Sequence, residues 1–508
     1  FSAHTRGQQL DYTEHRLLHD EQLKCLGKIQ RAPLGSFRRA PTLDHRAPRR
    51  MNVGGVRPAR LSMAEVVASL APGMTVFLGG LSGESLALRD ALRAAPDKAA
   101  GVRFVGVFFN GINEDAYAKL HPQARQRAYF MLPAFRPDFL DGRVELLPVD
   151  YLGAWRDLAR LPIDLAIVQT SEPDEEGRLS LGVCHDFAPA AWAHARRRIA
   201  HINPAMPRTR GSVSLSFDDC DAVVEAESDL VTYREEAPNA PLMQLASHVA
   251  GIVRDGDAIQ LGIGRMVGAV LEALSDHREL RLHAGMATQA LVPLTDRGVI
   301  RGAGAAHVGV ALGDAAFYRR VATDETFLFA PVSETHDVRR IAAIDNFVAI
   351  NAALEVDLFG QINCDTLGGQ LVAGVGGMPA FASGAQLSRG GRAVFALLSS
   401  ASRGTVSRIV PRLNTSALVG AARHLADIVV TEHGVADLRG ASLAERAKRL
   451  IAIAAPDHRE SLQEAWDRGP RVRQLRSQVF VSARAHFQKC HYSSANYSGA
   501  AGFAIPKA

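Results

Sequence analysis

The sequence predicts an α/β fold of two tandem domains, each built on a largely parallel sheet. Short apolar runs alternate with stretches of helical spacing, the pattern of strand–helix–strand units. The alternation restarts at Ala258, which implies a second unit of similar size. A chain of 508 residues supplies two or three domains with substantial cores.

The elements follow in order. Met74-Thr75-Val76-Phe77-Leu78 is an apolar strand ending at Gly79-Gly80, and Glu84–Ala95 has helical spacing. Val102–Phe109, Val144–Pro148 and Leu165–Gln169 are further strands. After the restart, Ala258–Gly262 is a strand and Val267–Leu274 a helix. Arg281–His283, Phe327–Ala330, Ala393–Leu398 and Asp427–Thr431 complete the set. The boundary falls near Ser247, giving domains over 51–246 and 247–478. Residues 1–50 are polar, basic and aperiodic, and are expected to be a disordered or non-native tail. Asp11, Glu14, Asp20, Glu21 and Asp44 argue against a mitochondrial transit peptide. Residues 479–508 are expected to be a second irregular tail.

Charge and cysteine content narrow the function. The net charge of +5 comes wholly from residues 1–50, which hold ten Lys/Arg against five Asp/Glu. The remaining 458 residues are balanced, so no broad phosphate footprint for nucleic acid is expected. Cys25, Cys184, Cys220, Cys364 and Cys490 form no C-x-x-C pair, which argues against disulfides and structural zinc. A reducing cytoplasm is the expected compartment. No apolar run has the length of a membrane span.

Gly262-Ile263-Gly264-Arg265-Met266 follows a strand and opens a helix. Such a turn lets backbone approach an anion, although Val267 stands where a dinucleotide fingerprint needs a third glycine. A tight strand–helix turn explains it equally. Gly374-Val375-Gly376-Gly377 offers backbone N–H groups that could hold a developing oxyanion, or forms a plain glycine-rich turn.

Several segments carry a family resemblance. They are Asn346-Phe347-Val348-Ala349-Ile350-Asn351, Ala353-Leu354-Glu355-Val356-Asp357-Leu358-Phe359-Gly360-Gln361 and the Gly374–Gly377 run. Ser407-Arg408-Ile409-Val410-Pro411 and Val430-Thr431-Glu432-His433-Gly434-Val435-Ala436-Asp437-Leu438 follow. In the first half, Gln169–Gly182 and Asn203-Pro204-Ala205-Met206-Pro207-Arg208-Thr209 add to them. Together they resemble the acetyl-CoA hydrolase/transferase family, which includes 4-hydroxybutyrate CoA-transferases. The likeness spans roughly residues 55–475.

The resemblance implies two CoA-transferase-like domains and an acyl-CoA:carboxylate CoA-transferase acting on small acids without a metal. It implies CoA contacts at Gly262, Ile263, Gly264, Arg265 and Met266, and an oxyanion role for Gly376 and Gly377. A homodimer is also implied. Ala380 and Thr405 depart from the family pattern, so Arg403 or Arg408 would have to meet the CoA phosphates.

The largest departure concerns the nucleophile. Family members use a glutamate that attacks acyl-CoA and then carries CoA as a glutamyl thioester. The matching segment here is Leu282-His283-Ala284-Gly285-Met286, and Gly285 has no side chain to attack with. Three readings follow: a carboxylate elsewhere, direct hydrolysis by water, or CoA-thioester binding without turnover. Glu84, on the turn after the first strand, is the leading replacement, with Glu114 second. Ligand sites in such sheets lie beyond the carboxyl ends of the strands, where both turns fall. An acid in a helix's first turn, stabilised by the dipole, is the plain alternative for Glu84. Cys184-His185-Asp186 is rejected as a thiol dyad, because adjacent strand residues point to opposite faces. His283 borders the vacated position and is expected to be a structural histidine.

Overall fold

Thr75–Leu78 and Leu165–Thr170 are buried along their whole length, as strands covered by helices on both faces must be. They are the centre of the first of two eight-stranded sheets in a computed structural model that describes residues 57–469. The two expected tails, with Cys25 and Cys490, lie outside the described residues.

The first sheet comprises β1 (Ala59–Arg60), β2 (Thr75–Leu78), β3 (Arg103–Val105), β4 (Arg125–Ala128), β5 (Val144–Leu146), β6 (Leu165–Thr170), β7 (Arg197–Ile202) and β8 (Ala222–Glu225). Their order is β1-β8-β7-β6-β2-β3-β4-β5, parallel throughout. Helix α1 (Leu86–Ala94) starts where the Ser85 hydroxyl accepts the Leu88 N–H at 3.1 Å, and it buries Leu88 and Leu92 one turn apart. Helix α2 (Tyr151–Leu158) is capped by Asp150, which accepts the Gly153 N–H at 2.7 Å.

The second sheet comprises β9 (Ala258–Gln260), β10 (Arg281–Thr288), β11 (Ala306–Leu312), β12 (Phe327–Phe329), β13 (Phe347–Ala352), β14 (Arg392–Ala396), β15 (Ile428–Thr431) and β16 (Gly434–Asp437). Its order is β12-β11-β10-β9-β13-β14-β15-β16, antiparallel only at the last pair. Helix α3 (Ala240–Ala250) carries Ser247, and its buried Leu242, Leu245, Ala246 and Val249 join the core of this half. The helix that runs through the expected boundary at Ser247 therefore packs with the second half. Helices α4 (Arg265–Ala273) and α5 (Met378–Leu387) follow β9 and precede β14.

The halves are joined by backbone. The His185 N–H donates to Gly309 O at 2.9 Å and the Ala311 N–H to Val183 O at 2.8 Å. Val183–His185 thus extends the second sheet along β11, with Cys184 opposite Val310. On the other side of the junction the Tyr151 N–H donates to Gly376 O at 3.1 Å. Cys184, Cys220 and Cys364 are free thiols. No helix among the described residues is long and apolar enough to cross a membrane.

Candidate active site

A cavity of about 200 Å³ opens at the carboxyl ends of β9 and β13 and beside the middle of β10. Gln260, Gly262, Ile263, Gly285, Met286 and Asn351 line it from the second sheet. Phe109 and Tyr151 reach it from the first half. Gly374-Val375-Gly376-Gly377 closes one wall and runs into α5, so a ten-residue helix presents its N-terminus there. The partial positive charge of that end favours a negative oxygen. Gly376 has φ +65°, a left-handed conformation that glycine adopts without strain.

Four polar atoms of lining residues are buried without a hydrogen-bond partner: Gln260 Oε1, Asn351 Nδ2, Tyr151 Oη and His336 Nε2. Buried polar groups are almost always paired, so these four atoms are free to bond water or a polar ligand in the cavity. His336 is the most enclosed of them. Its ring packs on Tyr151 at 4.5 Å and on Phe381 at 4.6 Å between centroids. It also fills the space above two glycines. A Cβ on Gly285 would lie 2.9 Å from His336 Cε1, and one on Gly377 would lie 2.5 Å from His336 Nε2. Burial, with His283 nearby, holds the imidazole far below its usual pKa, so it is neutral.

The residues singled out from sequence fall into two groups. Gly262, Ile263, Gly285, Gly376 and Gly377 come together on this cavity. Gly264, Arg265, Met266 and Arg403 do not line it. Gly264 caps α4 with φ +102°, and the Glu235 carboxylate lies against that first turn, 3.4 Å from a Cβ built on Gly268. An anion arriving at this helix end would meet a carboxylate. Arg265 is exposed and pairs with Glu236 at 3.5 Å, and Met266 packs on the core. Arg403 is exposed in the turn Ser402–Gly404.

The two carboxylates expected to replace the glutamate both lie away from the cavity. Glu84 is 3% exposed and turned into the first half. Tyr117 Oη donates to its Oε1 at 2.6 Å and Asn113 Nδ2 to its Oε2 at 2.8 Å. Burial raises its pKa while these two donors lower it, with burial the larger effect. The Asn113 side chain also holds Leu81, accepting its N–H at 3.0 Å, so Glu84 ties the two strand-end turns together. Glu114 is exposed on the same loop. Neither lines the cavity, and no acidic side chain does among the described residues.

His283 is held by the fold around it: its Nε2 meets Thr335 O at 2.8 Å and its Nδ1 meets His307 Nδ1 at 3.0 Å. Asp186 follows the inter-half strand and is 2% exposed. Its two oxygens have no partner, and burial pushes its pKa up to about 8. It lines a separate void of about 20 Å³ with Cys184 and Gly79–Leu81. Sequence reasoning passed over Gln260, Asn351, Tyr151 and His336. Gln260 and Asn351 carried a usable signal, being polar residues at the ends of apolar strands; Tyr151 opens α2 and His336 follows the short helix Val332–Thr335, and neither carried one. Among the described residues no three His, Cys, Asp or Glu side chains cluster with metal-binding geometry.

Comparison with known proteins places this geometry. Residues 59–235 match the acetyl-CoA hydrolase/transferase N-terminal domain, and residues 313–466 match the C-terminal domain. The chain belongs to the acetyl-CoA hydrolase/transferase family. It is 34% identical to the 4-hydroxybutyrate coenzyme A transferase of Clostridium kluyveri, over 76% of this chain and 91% of that one. It is 31% identical to the succinyl-CoA:cyclohexane-1-carboxylate CoA transferase of Geobacter metallireducens, over 69% and 82%. The structure of RipA from Yersinia pestis superposes with a TM-score of 0.74 and 30% identity, over 80% of this chain and 97% of that one. The family makes this an enzyme of CoA-thioester chemistry, with CoA transfer or hydrolysis as its reaction.

Proposed function

We propose that the chain moves CoA between small carboxylic acids in the cavity beside Gly285, and that the acceptor's own carboxylate attacks the bound acyl-CoA. The observation that carries this reading is the lining. It combines partnerless polar atoms and a helix N-terminus with no acidic side chain among the described residues. A glutamyl-CoA route needs a carboxylate within reach of the thioester carbon, and Glu84 is engaged by Tyr117 and Asn113.

In the proposed route an acceptor oxygen adds to the thioester carbonyl, whose electron pair moves onto oxygen. The oxyanion collapses, CoA thiolate leaves, and a mixed anhydride remains. The thiolate then attacks the acceptor's carbonyl and releases the donor acid. Gly376 and Gly377 line the cavity at the start of α5, where their N–H groups would hold the oxyanion. Similarity to enzymes named for 4-hydroxybutyrate and for succinyl-CoA with cyclohexane-1-carboxylate supports small carboxylic acids as substrates.

Initial rates with butyryl-CoA and carbon-14 acetate test this. Direct attack gives intersecting double-reciprocal lines and no CoA-labelled enzyme. Parallel lines, with a borohydride-reduced glutamate located by mass spectrometry, would reinstate an enzyme carboxylate. Hydrolysis is the second reading, since a cavity lined by no protein carboxylate among the described residues admits water as well as an acceptor acid. Steady CoA release without an acceptor acid would establish it.

A further inference from the structure

His336 is the one lining side chain that occupies the volume a residue at position 285 would claim. A glycine lies on either side of it, Gly285 on β10 and Gly377 at the start of α5, and any Cβ at either would collide with its ring. The imidazole is also fixed in orientation. Thr335 Oγ1 lies 2.8 Å from Nδ1, and 3.4 Å from Pro331 O. When the hydroxyl donates to Nδ1 rather than to Pro331 O, the proton of the neutral ring sits on Nε2. That Nε2 is buried and partnerless, beside Gly377.

We propose that His336 is a catalytic residue that donates its Nε2–H to the thioester oxygen, from the space above Gly285. This rests on the acyl-CoA reading of the cavity. The step moves no proton. The carbonyl π pair becomes a lone pair on oxygen as the acceptor adds, and Nε2–H and the α5 backbone hold that charge until CoA thiolate leaves. A ring that resists protonation suits this role, because it stays a donor without becoming an acid. The titratable groups around it are His283 and Tyr151, with Asp186 beyond Tyr151. A general base, in contrast, would need a pKa near the working pH.

The test compares wild type with His336→Leu and His336→Gln, whose amide can still donate. With butyryl-CoA and acetate, His336→Leu is expected to lose about 10²–10³ in kcat, with KM for butyryl-CoA within about threefold. His336→Gln is expected to stay within about tenfold of wild type. Wild-type kcat is expected to be flat from about pH 6 to pH 8. A readout independent of turnover is the carbonyl stretch of bound carbon-13 butyryl-CoA. It should shift to lower frequency in wild type and His336→Gln but not in His336→Leu. Near-normal kcat in His336→Leu overturns the assignment. So does a folded His336→Gln that loses more than a hundredfold, or an acid limb in wild type that His336→Gln abolishes. A wild-type protein that neither transfers nor hydrolyses, yet keeps the shift, would sink the proposed function and the catalytic role with it, and leave only the Nε2–H bond to the thioester oxygen.

Discussion

Replacing Glu84 with alanine separates a structural carboxylate from a nucleophile. The side chain is 3% exposed and accepts two hydrogen bonds, from Tyr117 at 2.6 Å and from Asn113 at 2.8 Å. Removing it leaves a phenol and an amide buried without their acceptor. Each such orphaned donor costs about 1–3 kcal/mol, so the pair predicts a loss of about 2–6 kcal/mol. Glu84→Gln keeps one acceptor, and the Tyr117 hydroxyl can turn to accept from the new amide, so it should cost about 1 kcal/mol. The assay is urea unfolding followed by fluorescence, paired with CoA-transfer rates per folded molecule at low denaturant. Glu84→Ala should unfold at clearly lower urea while kcat stays within about threefold. An unchanged unfolding midpoint with a hundredfold or greater loss of turnover would refute the reasoning and make Glu84 the nucleophile.

Two further outcomes follow from named geometry. Gly376→Val places a β-branched residue at φ +65°, with Phe130 3.5 Å from the new Cβ, and should cost both stability and most of the turnover; normal turnover would remove Gly376 from the oxyanion site. Asp186, raised to about 8 by burial, binds its proton in the folded state more tightly than when unfolded. Stability should therefore fall as pH rises from the ordinary carboxylate range through 8. Asp186→Asn should flatten that slope in unfolding measured from pH 5 to pH 9, and an unchanged slope would contradict it.

The sequence was most legible where one pattern had one physical meaning. Apolar runs such as Leu165–Gln169 were legible as strands, and the structure has Leu165–Thr170 at the centre of its sheet. Arg125–Ala128 was invisible, because its Arg and Gln side chains break the apolar run of an inner strand. Ser247 was read as a boundary because helical spacing does not say which core a helix joins. In the site, glycine turns were legible because few residue types permit such backbone. The orientation of Glu84 was not legible, because its position after a strand says nothing about which way the side chain turns. Tyr117 and Asn113, 33 and 29 residues away, decide that. His336 was missed because its meaning depends on two glycines, one 51 residues before it and one 41 after.

The strand formed by Val183–His185 has a consequence for dissecting the enzyme. Expressed alone, residues 240–469 would leave the edge of β11 beyond Val308 bare, a free template for intermolecular pairing. Mixed with residues 57–235, the same fragment would regain that strand and the Tyr151 bond to Gly376. The two pieces would then reassemble noncovalently, and the cavity would exist only in the reassembled pair.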